Sequence, residues 1–129
     1  MHPLVDQLIT KYNYASVNTD NFEEFTKSHE YSVLFFQNNP TAFPETLDVA
    51  VVLPELIKHF GNKITPAVMD RRDEKIFQKQ YGFFMWPTLV FLKNGEYLAA
   101  ISKVRNWDDY IIEIERIVTL APSEPPIKK

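Results

Sequence analysis

Disulfide exchange, metal binding and nucleophilic catalysis each need particular residue types, and this 129-residue chain is short of them. It contains no cysteine, so thiolate nucleophiles, disulfides and thiolate metal sites are all outside its chemistry. Its three histidines, His2, His29 and His59, fall in different predicted elements without metal-ligand spacing, and read as separate surface residues. No glycine-rich phosphate loop is present. Asp70 and Asp73 flank Arg71-Arg72 just after a predicted strand, the setting of a solvated capping turn rather than an acid/base pair. Thr46 has a hydroxyl that could attack, but no base is identifiable near it. The chain therefore reads as a non-enzyme without metal or cofactor. What it does carry is residue types suited to binding: Phe84-Met85-Trp86 in one run, and acids at Glu45, Asp48, Asp70 and Asp73. The competing account of Phe84 and Trp86 is simple core packing.

Those residues need a scaffold, and the length suits one domain. Apolar residues make up 45% of the chain, enough for a real core, and there is no repeat. A net charge of −3 and a pI near 5.6 argue against a nucleic-acid partner and favour basic ligands. No apolar run approaches the length of a membrane span. The N-terminal MHPLVDQLITKY lacks the basic and long apolar regions of a signal peptide, so the expected location is the cytoplasm. The segment APSEPPIKK, within 121–129, is proline-rich and charged and is expected to be disordered, leaving 1–120 as the domain.

Along the chain, 3–11 predicts a helix with Leu4, Val5 and Leu8 inward. Asp20 and Glu23 have capping-box spacing for a helix through Phe22, Phe25 and Thr26. Tyr31 to Phe36 predicts a strand, and QNNPTAFPETLD, 37–48, a long polar loop. Val49 to Phe60 predicts a helix with Pro54 inside it, closed by Gly61. Ile64 to Met69 predicts another strand. Asp73 is placed to cap a helix through Phe77 and Tyr81, with Gly82 as its left-handed end. Thr88 to Leu92 and Glu96 to Ile101 flank Asn94-Gly95, the signature of a hairpin turn. Asn106 caps a last helix with an apolar stripe of Trp107, Tyr110, Ile111, Ile114, Ile117 and Val118, which makes Trp107 a core residue. Parallel strands ending in a hairpin, with helices on both faces, predict an α/β/α three-layer sandwich around a mixed central sheet.

That order, the proline within the long helix and the Trp86-Pro87-Thr88 run resemble the thioredoxin fold across nearly all of 1–120. The resemblance implies a cis Trp86-Pro87 bond. It also places the usual Cys-x-x-Cys at Thr46 and Val49, five residues before Pro54 for the second, where neither residue can attack a disulfide. The buried acid of thioredoxins has no counterpart in Val33-Leu34-Phe35-Phe36. In such folds the segment before the cis-proline meets an extended peptide. This implies a peptide site made of Phe43, Glu45, Thr46, Asp48, Asp70, Met85, Trp86 and Pro87, with an apolar patch beside acids.

The run GFFMWPTLVFLKNGEY and the segment VRNWDDY, 104–110, are similar to the HyaE/HupG family of hydrogenase expression proteins. That resemblance implies a cytoplasmic bacterial chaperone in maturation of an uptake nickel–iron hydrogenase. Its expected partners are the hydrogenase small subunit with its twin-arginine signal peptide, and other maturation proteins. The alternative is a redox-inactive scaffold or adaptor subunit in another assembly complex.

Overall fold

A computed structural model describes residues 2–125. The chain forms α1 (Pro3–Thr10), β1 (Ala15–Val17), α2 (Phe22–Lys27), β2 (Tyr31–Phe36) and α3 (Glu45–His59). There follow β3 (Ile64–Met69), a 3₁₀ turn (Arg71–Asp73), α4 (Glu74–Tyr81), β4 (Thr88–Lys93), β5 (Glu96–Ser102) and α5 (Trp107–Ile117). The sheet has the order β1-β3-β2-β4-β5. β1, β3 and β2 run parallel, and β4 and β5 are antiparallel to their neighbours.

Strand alternation divides the core into two layers. Val33 and Phe35 of β2, with Leu89 and Phe91 of β4, face one side and pack with α1, α3 and α5 through Leu8, Leu53, Tyr110 and Ile114. Leu34, Phe36, Val90 and Leu92 face the other, against Phe22 and Phe25 of α2 and Phe77 and Tyr81 of α4. The central strands β2, β3 and β4 are buried on both faces and hence read as apolar runs. This is the expected three-layer sandwich with a mixed sheet.

Local signals hold where they are self-contained. Gly82 ends α4 at φ 71°, Asn94 and Gly95 turn the hairpin at φ 50° and 85°, and Asn106 accepts the N–H of Asp109 at 3.0 Å. Pro54 lies inside α3, and Trp86-Pro87 is cis.

Several expectations are corrected. β1, three residues long, shows no period in the sequence; it is made by pairing, Ala15 to Ala67 through Val17 to Met69. The 37–48 loop is shorter than expected, because α3 starts at Glu45. Thr46, Val49, Ala50 and Leu53 form its inward stripe at helical spacing, so burial recruits the extra turn. The Asp20–Glu23 box does not form. Asn21 stands at the start of α2 and its Oδ1 accepts the N–H of Asn18, whose own Oδ1 accepts from Asp20 and Asn21. Asp73 makes no cap hydrogen bond to α4, its carboxylate being taken by the N–H of Thr19 at 2.9 Å. Trp107 is half-exposed rather than core, its ring edge-to-face with His59 at the other side of the α3–α5 contact. In the C-terminal stretch, the N–H of Ser123 donates to the Tyr97 carbonyl at 2.9 Å, and 126–129 lie outside the described residues.

Candidate functional site

One end of the sheet gathers the C-terminal ends of β2 and β5 and the start of β4, since Phe36 pairs with Thr88 and Thr88 with Ser102. The segment leading to the cis-proline is pinned there. Thr88 donates its hydroxyl to the Met85 carbonyl at 2.6 Å and lies 2.8 Å from the Ser102 hydroxyl. Lys103, at φ 67°, then donates its N–H to the Pro87 carbonyl at 2.7 Å.

Lys103 also couples this segment to the start of α3. Its ammonium lies 2.7 Å from the Glu45 carboxylate, whose second oxygen accepts the N–H of Val104 at 2.9 Å. The Lys103 hydrogen bond, helped by Val104, holds the Glu45 carboxyl below the usual carboxylate range. Glu45 is thus a structural bridge between the start of α3 and the segment after β5. Asp70 is likewise engaged. It accepts the N–H of Arg72 at 3.0 Å and the Arg72 guanidinium at 2.7 Å, and that guanidinium lowers its pKa. Asp48, in the first turn of α3, is exposed and makes no ion pair or side-chain hydrogen bond among the described residues.

The aromatic run splits by direction. Trp86 is only 7% exposed, packed with Phe83 at 5.2 Å and Phe36 at 6.5 Å between ring centroids. Of the two alternatives for Trp86, core packing is the one found: the Phe36 ring at the end of β2 offers an apolar wall that takes it in. Phe84 and Met85, 63% and 56% exposed, face outward instead. Phe43 is partly buried against the same aromatic cluster. Sequence reasoning considered both outcomes for Phe84 and Trp86 together; the structure gives them opposite ones.

Thr46 and Val49, at the register of the usual cysteines, are both buried in α3. The Thr46 hydroxyl donates to the Gln37 carbonyl at 2.7 Å, so it is a brace and not a free nucleophile. Below it lies a residue that the sequence reading missed. Glu74, 3% exposed, accepts the N–H of Gln37 at 2.6 Å and of Asn38 at 2.9 Å, one on each oxygen. Burial pushes its carboxyl up to about 7, against the pull of those two donors and of Arg71. In sequence Glu74 looks like any acid at a helix start, and no local signal marks it as buried.

Among the described residues no group of three or more His, Asp or Glu is placed to hold a metal, and no helix is long and apolar enough to cross a membrane. Asp70 borders a cleft of about 220 Å³ with Ser16, Gln37, Val68, Met69 and Arg71, beside the Glu74 contact rather than beside Met85. Phe84 and Met85 are the exposed apolar residues of this end of the sheet.

Comparison with known proteins gives the family and the fold. The family described as "Hydrogenase-1 expression protein HyaE" matches residues 4–110. Hydrogenase expression/formation protein HoxO of Azotobacter vinelandii is 42% identical over 118 residues, 92% of this chain and 79% of that protein. The crystal structure of a hydrogenase expression/formation protein HupG from Rhodopseudomonas palustris superposes with a TM-score of 0.58 at 29% identity, covering 81% of this chain and 95% of that one. A thioredoxin of Halobacterium salinarum superposes with a TM-score of 0.67 at 18% identity, over 84% of this chain and 93% of its own, which establishes the thioredoxin-like fold.

Proposed function

Because the chain belongs to the HyaE family of hydrogenase expression proteins, we propose that it is a non-catalytic chaperone in the maturation of an uptake nickel–iron hydrogenase. On this reading it acts in the cytoplasm and binds the hydrogenase small subunit with its twin-arginine signal peptide before export. The absence of any thiol removes the redox chemistry of the fold and leaves its peptide-binding surface. The observation that carries the reading is the exposed Phe84-Met85 pair, separated from the cis-proline by Trp86 alone, with Phe43 packed against the aromatic cluster that holds Trp86. A flexible thioether and an aromatic ring suit the apolar stretch of a signal peptide. Asp48 is the acid left to meet the arginines, while Glu45 and Asp70 would first have to exchange Lys103 and Arg72.

Calorimetric titration with the small-subunit signal peptide, and with a version carrying Lys-Lys for its arginine pair, tests this. The native peptide is expected to bind, and Met85→Ala or Phe84→Ser to weaken it by about 1–2 kcal/mol. Asp48→Asn should weaken it less and reduce its salt sensitivity, as exposed charges act mainly on association. Trp86→Ala is a fold control, expected to lose about 3–5 kcal/mol of stability. If the native peptide fails to bind, alone and with the subunit attached, the scaffold reading takes precedence.

A further inference from the structure

The loop between β2 and α3 has an unusual anchor. Gln37 and Asn38 both donate their N–H groups to one buried carboxylate, Glu74 of α4, one to each oxygen. From Asn38, at φ 53°, the loop is a relay of short-range bonds. Asn39 donates its N–H to the Asn38 side chain, Thr41 to the Asn39 side chain, and Phe43 to the Asn39 carbonyl. The conformation at Asn38 therefore sets the position of Phe43.

We infer that Glu74 is a switchable pin for this loop, holding it at both backbone amides as a carboxylate and at one as a carboxylic acid. A carboxylate only accepts, so each oxygen can serve one N–H. Protonation turns one oxygen into a donor, and the N–H that faces it is left buried without an acceptor. The Thr46 hydroxyl on the Gln37 carbonyl does not titrate and holds the peptide plane that also carries the Asn38 N–H.

The charged groups that act on Glu74 sit on the turn between β3 and α4: Arg71 favours the carboxylate and Asp70 opposes it. The loop itself presents only the uncharged amides of Gln37 and Asn38, and α3 presents Thr46. Burial favours the acid, and the two amide donors and the Arg71 charge favour the ion. Burial outweighs them and puts the change at about pH 7. That the pin governs partner docking rests on Phe43 being one of the contacts proposed above; the pin itself does not.

The test is nuclear magnetic resonance on the full chain without any partner. The amide signals of Gln37 and Asn38 are expected to titrate together with a midpoint near pH 7. Hydrogen exchange at one of the two amides, corrected for the intrinsic rate, should be about tenfold less protected at pH 5.5 than at pH 8, the worth of one hydrogen bond. Glu74→Gln, which presents one acceptor and one donor, should abolish the titration and leave one of the two amides weakly protected at both pH values. Amides that do not titrate between pH 5.5 and 8, or that still titrate in Glu74→Gln, overturn the proposal. A signal peptide that does not bind refutes the chaperone reading but leaves these signals unchanged, so the two failures are distinct.

Discussion

Glu74 shows how one buried side chain can make stability depend on pH. Its carboxyl ionises near the ordinary value of 4.5 in the unfolded chain and at about 7 in the fold. Between these values the folded state keeps a proton that the unfolded state has lost. Its contribution is full below pH 4.5 and falls away as pH rises through 7. A difference of about 2.5 pH units corresponds to roughly 3 kcal/mol. Urea denaturation across pH 4.5–8 should show the wild type losing up to that amount relative to Glu74→Gln as pH rises. Parallel curves for the two proteins would mean that Glu74 ionises as freely in the fold as outside it.

At the scale of elements, caps and packing share the work unevenly. α5 has a defined start, with Asn106 accepting the Asp109 N–H and Asp108 and Asp109 in its first turn, where the helix dipole favours acids. It then buries Tyr110, Ile114 and Ile117. Asn106→Ala should cost about 1 kcal/mol in urea denaturation, with the slope unchanged because no buried surface is altered. A loss below a few tenths of that would assign the helix start to packing alone. α2 is the contrast: six residues without a side-chain cap, held by Phe22 and Phe25 on the aromatic layer and by the Thr26 hydroxyl on the Phe22 carbonyl.

For the whole molecule, the fold's usual reaction centre has become part of the core. Thr46 and Val49 occupy the cysteine positions with almost no exposure, inside a helix that starts one residue before Thr46. The wild type should not accelerate insulin reduction by a dithiol. The informative variant is Thr46→Cys combined with Val49→Cys, which restores both thiols yet should remain inactive, because reactive cysteines need a partly exposed setting. Turnover by that variant would show that the start of α3 opens in solution.

What the sequence determined by itself is what neighbours in the chain decide. Gly82 ends a helix, Asn94-Gly95 turns a hairpin, Asn106 starts a helix and Tyr31–Phe36 is a doubly buried strand, because each rests on local backbone preference or local periodicity. The lack of thiols needed no structure at all. Tertiary structure decided the rest of the site, through partners far apart in sequence. Glu45 meets Val104 across 59 residues and Glu74 meets Gln37 across 37, so acids that read as solvated charges became a bridge and a buried pin. β1 exists only as the partner of β3. Trp86 and Phe84 have similar residue types and nearly the same position, yet one is core and one is surface. Composition could not separate them, because the wall that receives Trp86 is the ring of Phe36, brought to it by the pairing of β2 with β4.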